Sequence, residues 1–483
     1  MPGGAHGTGR RPRAPGRGAG SLANVTPPPA GHPPLSLRAV LTTRLGHLVV
    51  AMLTVELLAG MQIYINQTVL PLLATELHAR SHYGLVTAAA QVPAFLTMPL
   101  GGAMLARWRA DRLMTALTAL LCAGAVMGAM APGIGVYVAG EVLRGLAAGA
   151  LATVTMGVLV AGLPDQWRRL FLAVGSATWV VSSLLGPAYA ATIASLWGWR
   201  WALVAYVPLL VVARLLMARE IRGLRVEDEG GKAPWSAALA LAGGVGLIGA
   251  LPGGSAWFWP GCGLGAAAAL WACTRVFPAG TLRLRPGRRA AIAALAWVCM
   301  AYFALDFLVA PGAHDVLGLG AGAIGWALTA AGVCWSVVAM WCGATPARAP
   351  VTYMLRTAGG AGCFLTGGLL MAAAFADALP WWWLHVGFSV AGLGMGLTHQ
   401  DTLIRCVSQP GPDGPDDGIS QARAATAVTV ASAAGGATLG TAVTAFVAPT
   451  DAGVEGPRLV GAVIALSLML GATALLTRRA AGR

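Results

Sequence analysis

The chain has 483 residues, of which 57% are hydrophobic and only 10% are charged, and its mean hydropathy is +0.70. Soluble domains carry about a quarter charged residues, so this composition excludes an ordinary water-soluble protein. The formal net charge is +14. Because the basic residues occur in small groups between apolar runs, rather than on one face, the charge does not indicate a nucleic-acid-binding protein.

The sequence also lacks the motifs of the common catalytic and metal sites. Its eight cysteines are scattered through apolar runs without a CxxC pair, which indicates small packing residues rather than metal ligands. A phosphate-binding G-x-x-x-x-G-K-[ST] loop, a G-x-S-x-G elbow and a metal-binding His pair are all missing from it. We therefore expect neither an enzyme nor a bound metal or cofactor.

Residues 1–44 are rich in Gly, Pro and Arg, which predicts a disordered basic arm. The rest of the chain is dominated by apolar runs, each long enough to cross a bilayer, which needs roughly 20 residues. Fourteen such runs cover 45–72, 83–105, 113–131, 134–160, 171–195, 201–218, 235–252, 256–276, 289–311, 320–342, 358–376, 381–399, 422–447 and 458–477.

The distribution of basic residues tests this count. With the N-terminus in the cytoplasm, all but four of the 32 Lys and Arg residues fall in cytoplasmic segments. The exceptions are Arg80, Arg200 and Arg458 outside, and Arg144 within a span. The positive-inside rule therefore favours an even number of spans and two cytoplasmic termini. Loss of the glycine-interrupted pair at 235–276 would preserve the asymmetry, so twelve spans remain the alternative.

A short repeat suggests that the chain contains two related halves. Residues 102–107 and 343–348 both read G-A-x-x-A-R, and both follow a span that runs toward the cytoplasm. The predicted organisation is a cytoplasmic arm (1–44), a six-helix bundle (45–220), two inserted helices with linkers (221–288), a second six-helix bundle (289–477) and a cytoplasmic tail (478–483).

The fifth and sixth runs contain the most specific motif. Gly186 and Pro187 are followed by the stretch 197–201, which reads W-G-W-R-W, and by Pro208. Glycine allows helices to approach closely and proline bends a helix. Gly435 and Gly436 lie in a second stretch of small residues, 432–440, whose first expected role is helix packing.

These motifs resemble those of the fourteen-helix drug:proton antiporter group of the major facilitator superfamily, over roughly residues 45–477. The resemblance implies an all-α membrane bundle of two six-helix halves around a central cavity, with two further helices inserted between them. It also implies proton-coupled efflux of a hydrophobic or amphipathic small molecule by alternating access. The stretch 144–149 is similar to the family's R-x-x-Q-G motif but lacks the Gln.

Proton coupling requires a carboxylate that can be alternately neutral and charged inside a cavity. Glu56 in the first run and Asp306 in the ninth are the candidates, and Arg144 could tune a nearby carboxylate. Glu141 lies one helical turn from Arg144 and could pair with it, so a purely structural ion pair is the competing interpretation. For Glu56 and Asp306 the competing interpretation is a hydrogen-bonded structural acid.

Two departures from the family pattern bear on the mechanism. Position 62, where the family has an Asp before an L-P pair, is Gln62, which can bind a substrate but cannot carry a proton. The loop motif G-x-x-x-D-R-x-G-R, which begins here at Gly102, has Ala106 in place of its Asp and keeps Arg107. A gating interaction of that acid would have to be weaker or relocated to Asp111.

The predicted partners are the lipid bilayer of the cytoplasmic membrane, protons and a small molecule, with the protein as a monomer. The predicted substrate site contains polar and aromatic residues, because aromatic rings provide area for a flat apolar ligand. Its members are Gln62, Asn66, Trp179 and Trp335. A solute importer or uniporter of the same fold is one alternative, and a transport-inactive sensor or scaffold is another.

Overall fold

The computed structural model describes residue 3 and residues 42–98, 104–105, 107–162, 165–222, 235–407, 418–419, 421–448 and 455–481. Most of the predicted basic arm and Gly102 lie outside these ranges, as does the segment 223–234.

Fourteen helices of 14 residues or more follow one another in the described ranges. The first six are α1 (Arg44–Glu76), α2 (Tyr83–Thr97), α3 (Ala110–Ala129), α4 (Ile134–Gly162), α5 (Asp165–Trp197) and α6 (Val207–Glu220). The others are α7 (Trp235–Ala250), α8 (Phe258–Val276), α9 (Arg288–Pro311), α10 (Ala321–Ala344), α11 (Pro350–Phe375), α12 (Trp383–Val407), α13 (Gln421–Val447) and α14 (Glu455–Gly471). Short helices at Trp199–Ala202 and Thr473–Ala480 extend α6 and α14.

Nine helical segments in the described part of the chain are long and apolar enough to cross a bilayer. They include α1, α9 and α14 with their extensions, whose hydropathies are among the highest in the chain. Shorter apolar helices occur at Leu184–Trp197 and Trp235–Ala250. A chain this apolar in helices of this length is stable in a bilayer because every helix satisfies its own backbone hydrogen bonds.

Local signals determine where several helices begin. Thr43 caps α1, because its hydroxyl accepts a hydrogen bond from the backbone N–H of Gly46 at 3.1 Å. Pro208 and Pro350 lie in the first turns of α6 and α11. Backbone N–H groups in a first turn have no acceptor within the helix, so proline, which lacks an N–H, costs no hydrogen bond there.

The helices pack as two groups related by an offset of eight helices. In the first group α1 packs on α5 and α6, and α4 packs on α2 and α3. In the second group α9 packs on α13 and α14, and α12 packs on α10 and α11. The groups meet where α5 packs on α10 and where α2 packs on α13. This arrangement confirms the predicted fold class of two six-helix halves.

The inserted helices α7 and α8 lie beside one of these junctions. They pack on each other at Gly244 and Gly265, where a Cβ on either glycine would lie 2.7 Å from the carbonyl oxygen of the other. α7 also packs on α2 and α13. The glycines that make this pair ambiguous in the sequence are therefore points of close helix contact.

The motif glycines also lie at close helix contacts. A Cβ on Gly186 would lie 2.9 Å from the Cβ of Tyr64, so α5 approaches α1 closely there. The carbonyl oxygen of Pro187 faces Gly325 of α10 in the other half. Gly435 and Gly436 of α13 pack on Met300 and Phe303 of α9.

Both described ends of the chain lie at one face of the bundle. Arg44 at the start of α1 forms an ion pair of 2.8 Å with Glu220 at the end of α6. At the start of α9, the N–H of Gly287 donates to the carbonyl oxygen of Arg479 at 3.1 Å. α1 and α9 run in the same direction, because Gln67 contacts Asp306 and, eight residues further along both segments, Thr75 contacts His314. We call the face with the chain ends the terminal face and the opposite face the far face.

The tryptophans of the far face are not all at the surface. Trp197 and Trp201 are exposed, and indoles favour a membrane interface. Trp199 is buried, and its indole N–H donates to Glu76 at 2.6 Å. The carboxylate thus gives this buried indole a hydrogen-bond partner.

Candidate functional site

A cavity of about 300 Å³ lies along the inner side of the first half. Residues of α1, α2, α4 and α6 line most of its described wall, and Phe307 of α9 closes it from the second half. The wall is mixed, with apolar side chains between polar ones. Its polar and ionisable members are Glu56, Gln62, Asn66, Gln67, Thr87, Gln91, Tyr137, Glu141, Arg144, Thr155 and Arg214.

α1 contributes a continuous column to this wall. Gln62, Asn66 and Leu70 are spaced four residues apart, so they share one face of α1, and Glu56 lines the same cavity six residues before Gln62. The structure therefore brings three of the sequence-predicted residues of α1 to one surface. Their functional roles stay predictions.

A buried ion pair on α4 forms the second side of the wall. Glu141 and Arg144 contact each other one helical turn apart, with side chains that are 2% and 4% exposed. Asn66 of α1 donates its amide to Glu141 at 3.3 Å and accepts from Arg144 at 3.3 Å. The pair is thus joined to α1, and Glu141 lines the cavity.

The backbone of α3 makes room for this pair. A Cβ on Gly124 would lie 2.8 Å from Cγ of Arg144, so only glycine at this position lets the Arg144 side chain lie between α3 and α4. Because a charged side chain at mid-membrane costs at least about 2.5 kcal/mol on insertion scales, a partner and a fitted space are both needed.

Arg214 of α6 is a cavity residue that the sequence does not reveal. It is buried, and its guanidinium donates to the hydroxyl of Thr155 at 3.1 Å. Glu56 lies close enough for its charge to act on that of Arg214. In the sequence Arg214 stands near the end of a span and before a basic loop, so the charge tally assigns it to the cytoplasm.

A hydrogen bond between the halves lies at the end of the cavity. The amide of Gln67 in α1 donates to the carboxylate of Asp306 in α9 at 2.7 Å, and both side chains are 5% exposed. Asp306 was predicted as an intramembrane acid, whereas Gln67 was not singled out. The sequence does contain a signal for Gln67. It is the third side-chain amide of the same apolar helix, next to Asn66 and about one and a half turns after Gln62.

Further contacts between the halves lie at the far face. The hydroxyl of Tyr83 donates to Asp315 at 2.6 Å, and Arg80 lies 3.8 Å from the same carboxylate. Thr75 and His314 are hydrogen-bonded at 3.2 Å. These contacts join the ends of α1 and α2 to the π-helical turn Gly312–Val316 after α9.

Other predicted site residues do not meet at this cavity. Trp335 packs against Tyr302 and His399 in an aromatic group of the second half. The side chain of Trp179 lies outside the described residues. Arg107 is exposed.

Asp111 gives no support to a relocated gate interaction. It forms an ion pair with Arg109 at 3.1 Å, two residues earlier in the chain. Within the described residues this is a local contact at the start of α3, so the predicted relocation to Asp111 finds no partner across the gate.

The fold and the cavity agree with a comparison to known families. Residues 52–414 match the model of the Major Facilitator Superfamily, which is most of the chain. The protein belongs to this superfamily. It is therefore a multi-pass membrane transporter by family, and the family is one of transporters rather than enzymes.

Curated relatives match shorter stretches. A fatty acid resistance protein of Neisseria gonorrhoeae is 26% identical over 159 residues, which is 33% of this chain and 31% of that protein. A probable multidrug-efflux transporter of Mycobacterium tuberculosis is 32% identical over 118 residues, or 24% of each chain. A multidrug efflux pump of Staphylococcus aureus is 20% identical over 169 residues, or 35% of this chain and 38% of the pump. The matches thus span less than two fifths of each relative's length.

Proposed function

We propose that this major facilitator protein exports hydrophobic or amphipathic small molecules across the cytoplasmic membrane in exchange for protons. The observation that carries the proposal is the cavity beside α1, in which carboxylates and guanidiniums line a largely apolar space. Charged groups are costly inside a membrane and usually mark the path of a substrate or an ion. Three of the matched relatives are efflux or resistance proteins by name.

Glu56 is the acid that best fits proton exchange within the cavity. It is partly exposed and lies near Arg214, so a proton or a cationic group that reaches the cavity can contact it. Glu141 is 2% exposed, and Arg144 and Asn66 bond to its carboxylate. We therefore assign a structural role to Glu141 and exchange to Glu56, which is the more accessible of the two. Apolar residues such as Ile63 and Phe307 would contact the body of the substrate.

In the proposed transport cycle the two halves of the protein move relative to each other by alternating access. In this mechanism the two halves rock around a site near the bilayer midplane, so that the cavity opens to one side at a time. The hydrogen bonds between the halves, from Gln67 to Asp306 and from Tyr83 to Asp315, hold the far face closed in this conformation. We place the terminal face in the cytoplasm, in agreement with the distribution of Arg in the sequence.

The deciding experiment measures proton movement when a substrate is added. Inverted vesicles that contain the protein are energised, and ethidium or palmitate is added as a cationic or anionic amphipathic probe. Loss of the pH gradient that depends on the probe supports antiport, and Glu56→Gln should abolish it while the protein remains inserted. Glu220→Gln is the matched control, because Glu220 pairs with Arg44, whose side chain is 79% exposed at the terminal face.

Each alternative predicts a different result. Probe uptake without proton movement would favour a uniporter, and flux in Glu56→Gln equal to the wild type would remove Glu56 from the mechanism. Absence of transport for every probe, together with a co-purifying partner protein, would favour a sensor or scaffold. Reporter fusions that place the chain ends on the outer side would reverse the assigned orientation.

A further inference from the structure

We propose that Gln67 is a positioning residue that holds the far face closed while Asp306 is ionised, and releases it when Asp306 takes up a proton. The inference rests on the proposed antiport, which it deepens by adding a residue without any charge of its own. It depends on where the Gln67–Asp306 hydrogen bond lies, on the chemistry of its two groups and on what surrounds them.

The location of the bond makes it a contact between the halves rather than within one. Gln67 belongs to α1 and Asp306 to α9, and the same sequence offset of 239 residues separates Thr75 from His314. The two contacts therefore lie along one line between parallel helices, about 12 Å apart at a rise of about 1.5 Å per residue. Loss of the Gln67–Asp306 contact can thus affect the Thr75–His314 contact at the far face, because two turns of α1 connect them.

The chemistry of the bond makes it sensitive to one proton. An ionised carboxylate accepts the N–H of Gln67 in a charge-assisted hydrogen bond, which is roughly twice as strong as a neutral one. A protonated carboxyl group instead has a proton to donate. The amide oxygen of Gln67 is buried and has no hydrogen-bond donor among the described residues. It could accept that proton only if the amide turned over. The neutral carboxyl group can still accept the N–H of Gln67 through its carbonyl oxygen, but without charge assistance, so protonation weakens the present contact.

Among the described residues, no cation acts on the charge of Asp306. Tyr302, one turn earlier on the same helix, is near enough to interact with Asp306, and Tyr64 of α1 and Cys334 of α10 lie near Tyr302 in turn. Within the described residues, α12, α13 and α14 place no charged side chain where it acts on Asp306, and neither does the turn with His314. Glu141, in contrast, is paired with Arg144. Unlike Glu141, the carboxylate between the halves is therefore not held in its ionised state by a cation of the described residues.

This device would prevent the empty carrier from wasting the proton gradient. An antiporter must not reorient when it holds neither a proton nor a substrate. With Asp306 ionised and bonded to Gln67, the far face stays closed, and protonation of Asp306 weakens that bond. A substrate that contacts Gln67, which lines the cavity, would compete for the same amide.

The test measures access to the cavity from the far face, without any drug. Thr87 lines the cavity near the start of α2 and is partly exposed, so Thr87→Cys is the reporter in a protein whose native cysteines have been replaced. A membrane-impermeant maleimide is added outside right-side-out vesicles between pH 5.5 and 8.5. Each rate is divided by that of Ser81→Cys, an exposed far-face position, which also identifies vesicle orientation.

We expect wild-type labelling to rise as the pH falls. Gln67→Leu should label about tenfold faster at pH 8.5 and lose the pH dependence, because a hydrogen bond to a charged group contributes at least that factor. Asp306→Asn, which stays neutral, should show the fast rate at every pH. Thr68→Val is the matched control, since Thr68 is buried beside Gln67 but bonds only to Tyr64 of its own helix.

Several outcomes would overturn the proposal. The first is a wild-type labelling rate that does not change with pH. The second is a labelling rate in Gln67→Leu or Asp306→Asn that depends on pH as in the wild type. The third is a change of labelling rate in Thr68→Val as large as that in Gln67→Leu. If Thr87→Cys does not insert, Val86→Cys reports from the same part of the wall. Failure of drug-driven proton flux would count against the proposed function alone, because this labelling needs no drug.

Discussion

Asn66 and Gln67 are consecutive residues of α1, yet their side chains bond to different halves of the protein. Asn66 bonds to the Glu141–Arg144 pair of α4, and Gln67 bonds to Asp306 of α9. Consecutive positions on a helix point about 100° apart, so a helix at the junction can contact both halves at one level. α1 therefore links the ionic groups of the first half to the contact that holds the halves together.

Removal of one member of the buried ion pair should be more damaging than removal of both. Arg144→Gln leaves the carboxylate of Glu141 buried without its cation, which typically costs about 3–5 kcal/mol. The double variant Glu141→Gln/Arg144→Gln should recover most of that loss, since two neutral amides can still bond to Asn66. The measurement is the fraction of monodisperse protein after heating in detergent. Equal losses in the single and double variants would show that the pair does not stabilise the fold.

Arg214 should matter for transport even though it lies outside the recognised motifs. Arg214→Gln removes the guanidinium that bonds to Thr155 and acts on Glu56. We expect at least a tenfold lower probe-driven proton flux with normal insertion, because the electrostatics of the exchanging carboxylate change. Arg219→Gln is the matched control, since Arg219 is exposed five residues later on α6. Equal flux in the two variants would remove Arg214 from the mechanism.

The architecture could be predicted from the sequence because the bilayer imposes strong constraints. Each crossing needs a long apolar run, and basic residues accumulate on one side. Those constraints act locally along the chain, so they can be seen without knowledge of contacts. Gln62 and Asn66 are four positions apart, so helical spacing alone indicates that they share one face of α1.

The remaining cavity residues depend on contacts between distant parts of the chain. Asp315 accepts a hydrogen bond from Tyr83, 232 positions earlier in the chain. The sequence around each of these residues gives no indication that they form a contact between the halves. Arg214 is ordinary in a sequence that has basic residues after most spans. Gln67 does not titrate, so a search for ionisable groups passes over it. The contacts of these side chains with other helices become visible only once the helices are packed.

The contact between Tyr83 and Asp315 should control how often the far face opens. Tyr83→Phe removes the hydroxyl that donates to Asp315 at 2.6 Å and leaves Arg80 at 3.8 Å. Labelling of the Thr87→Cys reporter should become several-fold faster at every pH, since one buried hydrogen bond contributes about 1 kcal/mol. Tyr189→Phe is the control, because that hydroxyl bonds to Ala202 within the first half. Unchanged labelling in Tyr83→Phe would show that this contact does not close the far face.

The close approach of α13 to α9 should tolerate no larger side chain. A Cβ on Gly436 would lie 3.0 Å from the Cβ of Phe303, and one on Gly435 would lie 2.8 Å from the Cβ of Met300. Gly436→Val should therefore lower the stability of the purified protein by roughly 1–3 kcal/mol, as overpacking usually does. Gly461→Val on α14 is the control, because a Cβ there meets nothing within 4 Å. The measurement is the midpoint of thermal unfolding in detergent for both variants. Equal midpoints would mean that the helices can separate at Gly436 without cost, and the packing role of this stretch would be wrong.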